Sequence, residues 1–284
     1  MTVTDIAAFG ASSSLGAFGG ASNRPDRHVQ SAFSAVLEEA GREGYASAKP
    51  LASGESVAES AQKALDDWFG SERNGRYATK ESLEELQQAF GQIVVRAMDE
   101  GGYVDPKGFL AGLSRDELST LQSVNSLAEP INVGGLTEEG ALNLLLPPAA
   151  QVDLNHDGIT QSGVGNGLRF PNSDTPAEVV EAWDAATAGM SPGAMMAFEL
   201  RMMLPLLTAN IEVDDNGQFV RHYEPGDPGW RNPFNEAGYS YRDAVQSMID
   251  ALDFQKEQTP IDQYEEQMAF WRRFGEELAA NGAT

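Results

Sequence analysis

The chain has 284 residues, enough for one large domain or two ordinary ones, and its 41% hydrophobic and 22% charged residues are the composition of a chain that folds around a core. Lys and Arg number 19 against 43 Asp and Glu, a formal net charge of −24, which disfavours nucleic-acid backbones and anionic membrane surfaces as partners and favours cations. Cysteine is absent, which excludes disulfides, thiolate metal sites and cysteine nucleophiles, and no stretch approaches the ~18 apolar residues that membrane insertion as a helix needs.

Residues 1–27 are rich in Gly, Ala and Ser and read as a flexible tail. The first basic residue is Arg24, so no Sec-type signal peptide is expected, which leaves a cytoplasmic location or export by a non-cleaved route. Helical grammar then takes over. Val29, Phe33, Val36 and Leu37 form one stripe, and Ser56 with Glu59 caps a helix holding Leu65 and Trp68. Leu83, Leu86, Phe90, Val94 and Ala97 recur at helical spacing before Gly101-Gly102. Ser114 and Glu117 make a capping box, and Thr137 opens a short helix that Pro147-Pro148 stops.

The second half repeats the pattern. Thr175-Pro176-Ala177-Glu178 reads as a cap, and Ser191-Pro192 opens a Met-rich helix that Pro205 kinks or ends. Ile261, Tyr264, Met268, Trp271, Phe274 and Leu278 give the last and most regular amphipathic helix. Two stretches are not helical: 151–171, rich in Gly and Asn, and 209–235, whose alternating runs around Asp214-Asp215-Asn216-Gly217 predict a short hairpin near 210–223 before a Gly/Pro-rich loop. Pro147-Pro148 marks a weak division into helical regions 28–148 and 149–284, free to pack as one domain. The expected fold is mainly α, a multi-helix bundle-like domain with an irregular central loop and a short β-hairpin.

That central loop holds the one motif with specific chemistry, Asp153-Leu154-Asn155-His156-Asp157-Gly158-Ile159-Thr160. Oxygen-bearing side chains fall at alternate positions 1, 3 and 5, and Gly158 at position 6 permits a sharp turn. The pattern resembles the first half of the EF-hand loop and the calcium loop of dockerins. The resemblance implies Ca2+ as the bound ion, Asp153, Asn155 and Asp157 as side-chain ligands and Ile159 as a carbonyl ligand. Gln161 at position 9 would reach the ion directly or through water. Position 12 is Val164 where the family has an acid, so a carboxylate from elsewhere must finish the shell, and Asp174 is the nearest downstream candidate. Two loop carboxylates imply an affinity of ~10⁻⁵–10⁻³ M. His156 at position 4 is expected to point to solvent.

Weaker candidates have simpler explanations. Residues 214–216 suit a hairpin turn as well as a second ion. Gly189-Met190-Ser191-Pro192-Gly193 has the spacing of a nucleophile elbow without the preceding strand. His28, His156 and His222 lack zinc-ligand spacing. Three functions compete. The first is a calcium-binding protein with a structural site and no catalytic residues. The second is a glycan-directed all-α hydrolase with paired carboxylates and a stabilising Ca2+. The third is an assembly or adaptor protein binding a protein partner through its tail and last helix. A cleft with two convergent acids favours the hydrolase, and an exposed apolar patch around Trp271 and Phe274 favours the adaptor.

Overall fold

A computed structural model describes residues 23–73 and 75–284. The fold is mainly α. Helices α1 (Asn23–Glu39), α2 (Val57–Glu72), α3 (Leu83–Asp99), α4 (Pro106–Ala111), α5 (Arg115–Val124) and α6 (Glu138–Leu144) build a first lobe. A hairpin of β1 (Thr160–Ser162) and β2 (Gly165–Gly167) leads into the second lobe. There α7 (Ala177–Thr187), α8 (Pro192–Met202) and α9 (Leu204–Ala209) precede a hairpin of β3 (Ile211–Val213) and β4 (Phe219–His222), then α10 (Tyr241–Phe254) and α11 (Ile261–Ala280). Among the described residues no helix is long and apolar enough to cross a membrane.

The helix boundaries follow local chemistry. Ser114 and Glu117 satisfy each other's backbone N–H groups in a full capping box at α5. Ser56, Ser191 and Ser240 cap α2, α8 and α10 with their hydroxyls, and Pro205 sits in the first turn of α9, where a missing N–H costs nothing. Thr175 departs from expectation. Its hydroxyl donates to Asn172 Oδ1 at 2.8 Å and accepts the Asn172 N–H, so α7 starts after Pro176 with no side-chain cap. Of the expected tail, residues 1–22 lie outside the described residues, and 23–27 belong to α1 instead. Arg27 anchors that turn, donating to both carboxylate oxygens of Asp184 at 3.0 and 2.9 Å and to Gln30 at 2.7 Å.

Hydrophobic side chains gather into two cores. The first runs from Val29 to Val152 around Phe33, Trp68, Phe69, Tyr77 and Phe90; the second runs from Ile159 to Ala283 around Phe170, Trp183, Phe198, Trp271 and Phe274. The change from one to the other falls inside 153–158, a few residues beyond Pro147-Pro148, because Ala150 and Val152 still pack into the first core. In α11, Trp271 and Phe274 are 0% exposed, Phe274 packing on Trp183 of α7 and Trp271 on Phe198 of α8. The expected exposed patch around Trp271 and Phe274 is therefore part of the second core.

Candidate functional site

The segment between the cores wraps around its own first carboxylate. Asp153 Oδ2 accepts the Gly158 N–H at 2.7 Å, and Oδ1 accepts the Asp157 N–H at 3.2 Å. Asn155 Oδ1 accepts the Asp157 N–H at 2.9 Å, and Asp157 Oδ1 accepts the Ile159 N–H at 2.8 Å. Each side chain at positions 1, 3 and 5 thus turns back on the loop. The reversal requires left-handed backbone at His156 (φ +57°) and at Gly158 (φ +89°). Glycine is needed at 158 for a second reason: a Cβ there would lie 2.9 Å from Leu206 Cδ2 and 3.2 Å from Asn232 Cγ.

Both lobes hold this loop. From the first, Glu139 on α6 accepts the Leu154 N–H at 3.2 Å and the Gln161 N–H at 2.6 Å. Asn143, one turn later, clamps Val152 from both sides, with N–H to Oδ1 at 2.9 Å and Nδ2 to O at 2.8 Å, and also donates to the Gln161 carbonyl. From the second lobe, Trp230 Nε1 donates to the Asp157 carbonyl at 2.8 Å. Asn232 and Asn235 both donate to the His156 carbonyl, at 2.9 and 2.8 Å.

Charge in the loop is one-sided. Asp153 is 2% exposed, and burial first, then the charge of Asp174, pushes its carboxyl up to about 7, with Asp157 and Glu139 adding to the effect. Glu139, 4% exposed, is pushed up to about 7 mainly by burial against the pull of the Gln161 N–H. Burial also raises the Asp157 carboxyl. The basic side chain that meets these acids is His156. It is exposed, as expected, and pairs there with Asp174, its Nδ1 2.9 Å from Oδ2, while Nε2 lies 3.5 Å from Glu43. That hydrogen bond to Asp174 raises the imidazole pKa.

The residues singled out by spacing end up in different places. Asp153, Asn155 and Asp157 come together, and Asp174 stands beside them with its carboxylate turned to His156. Ile159 sends its side chain into the second core. Gln161 turns away: its side chain meets Thr137 and Asn166. Among the described residues, no three His, Asp or Glu side chains converge as a ready-made metal cage. Spacing missed Glu139 and Asn143. The available signal was the run Glu139 to Leu146, which is too apolar for an exposed helix and so draws its polar members inside.

The other candidates resolve simply. Asp214 Oδ1 accepts the N–H of Asn216 at 2.9 Å and of Gln218 at 2.8 Å, a hairpin turn. The Ser191 hydroxyl accepts the Ala194 N–H as a helix cap. Comparison with protein-family models, with curated proteins and with solved structures finds no match to this chain.

Proposed function

We propose that this protein binds Ca2+ at the 153–161 loop and that the ion fixes the joint between the two lobes. The observation that supports the reading is the buried Asp153 carboxylate, set among the charges of Asp174, Asp157 and Glu139. Like charges withdrawn from water must either hold protons or gain a cation. Asp153 can keep its shorter bond to the Gly158 N–H while its other oxygen turns to the ion. Asn155, Asp157 and the Ile159 carbonyl add oxygen donors, and Asp174 completes the shell when it leaves His156. A set made only of oxygens suits Ca2+. The role is structural: each lobe grips the loop through its own side chains, so ordering the loop orders both.

Calorimetric titration of the metal-stripped chain with Ca2+ tests this. Saturable binding at ~10⁻⁵–10⁻³ M is expected, lost in Asp153→Ala and in the milder Asp157→Asn, with native circular dichroism retained in at least the latter. No uptake by the wild-type chain at millimolar Ca2+, or unchanged uptake in a folded Asp157→Asn, overturns the proposal.

The hydrolase reading draws support from one place, a cleft between the lobes where burial raises the carboxyls of Asp26 to about 6 and Glu199 to about 7. Among the described residues, however, the charge that acts on Glu199 is that of Arg169. Asp26 and Glu199 are therefore not coupled to each other as the pair that glycan cleavage uses; the acid whose charge reaches Asp26 is Glu72, on its own side of the cleft.

A further inference from the structure

That cleft has a volume of about 540 Å3, inside the range of small-molecule sites. Its first wall carries Asp26, in the first turn of α1, and Arg76, just beyond α2. Its second carries Arg169, between β2 and α7, and Glu199 on α8. All four are half-buried. Arg169 is held in place, donating to Gln151 Oε1 at 2.8 Å and to the Pro148 carbonyl. The other three differ. Neither the Arg76 guanidinium nor the carboxyls of Asp26 and Glu199 make a side-chain hydrogen bond or ion pair with any described residue, although Glu72, which also lines the cleft and accepts the Arg76 backbone N–H, acts through its charge on both Arg76 and Asp26, and Arg76 and Asp26 feel each other.

This is unusual for groups withdrawn from water, which proteins pair or leave at the surface. The same cleft shows the ordinary solution in Arg27, whose guanidinium is paired with Asp184 and Gln30. Burial lowers the pKa of Arg76 and raises both acids, so each charge is held at a cost that a ligand of opposite sign would relieve. A simple anion would satisfy the arginines and be repelled by the acids; a simple cation would do the reverse. A ligand bearing both charges meets both needs.

We propose that the inter-lobe cleft binds a zwitterion, a free amino acid or short peptide, whose carboxylate is taken by Arg76 and Arg169 and whose ammonium is taken by Glu199 or Asp26. The site is separate from the calcium loop, and its test does not depend on the ion. An ammonium arriving beside a protonated Glu199 displaces its proton, so binding near neutral pH is accompanied by proton release.

The full chain is titrated with each of the twenty common amino acids and with trialanine, up to about 10 mM, and Trp fluorescence is followed because Trp68 and Trp183 border the cleft. Saturable binding is expected for at least one probe, and its heat is expected to differ between buffers of different ionisation enthalpy. Trialanine binding tightest points to peptides, and an amino acid binding tightest points to free amino acids. For the best probe, N-acetylation and C-amidation are each expected to weaken binding by about tenfold or more, as is Arg76→Ala, with partial rescue by Arg76→Lys. Glu199→Gln is expected to abolish the proton release if the ammonium meets Glu199, and Asp26→Asn if it meets Asp26. Arg76 holds no described side chain, so its variants should fold, which a thermal melt verifies. Absence of binding by every probe overturns the proposal, as does equal binding of the capped forms or of Arg76→Ala.

Discussion

Glu199 illustrates how position sets a carboxyl's chemistry. Its pKa of about 7 in the folded chain lies above the ordinary carboxylate range it regains on unfolding. The folded state therefore binds the proton more tightly. The stability this contributes is complete at acid pH and is lost as the pH rises through about 7. Glu199→Gln keeps the shape without the titration. Between about pH 5 and pH 8 the wild type should lose on the order of 1–2 kcal/mol more stability than the variant, after allowance for solvent in the cleft. Urea titrations of both proteins across that range check this, and parallel profiles would remove Glu199 as a buried acid. At the loop, single residues differ in how much their sequence reveals. Gly158 is legible because a turn after alternating oxygen donors needs the left-handed region. Asp174 is legible only as a nearby acid, since its partner His156 depends on how two loops cross.

At the level of elements, α6 meets the turn of the β1–β2 hairpin backbone to backbone. The Gly163 N–H donates to the Gly140 carbonyl at 2.9 Å, and a Cβ on Gly140 would lie 2.1 Å from the Gly163 carbonyl oxygen. Gly140→Ala should therefore cost about 2–4 kcal/mol, far more than its gain in helix propensity. Chemical denaturation measures it, and a loss below about 0.5 kcal/mol would mean that the hairpin moves aside without penalty. The helices were readable because caps and the 3.6-residue period are local signals, as at Ser114 or along α11. The β1–β2 hairpin was not, because Gly165-Asn166-Gly167 has no alternation and its pairing is imposed by the Glu139 and Asn143 side chains around Gln161. The same limit applies to the candidate sites. The calcium-type loop is contiguous, so its spacing survives in the sequence. The cleft is assembled from residues 26, 76, 169 and 199, which no period connects.

Over the whole molecule, the links between the lobes beside the loop include, among the described residues, the bonds from Arg169 to Gln151 and Pro148 and three more. Arg27 with Asp184 joins residues 157 apart in sequence, Lys49 lies 3.3 Å from Glu181, and the Ala46 N–H donates to the Ser173 carbonyl at 2.8 Å. The bidentate pair is partly shielded and therefore contributes more than an open surface pair. Asp184→Ala strands Arg27 and should cost about 1–2 kcal/mol, loosening the lobes before either core melts. Scanning calorimetry should show one transition in the wild type and a calorimetric enthalpy exceeding the van't Hoff value in the variant. An unchanged enthalpy ratio and midpoint would place the coupling elsewhere.

The clean change of cores between Val152 and Ile159 also bears on how the chain is made. A ribosome delivers every member of the first core before any member of the second, so the N-terminal half can condense while the rest is still in the exit tunnel. The clasp on the connecting loop cannot close then, because Trp230, Asn232 and Asn235 arrive more than seventy residues later. The loop therefore stays open until the first core is complete and residues 230–235 of the second lobe have been made.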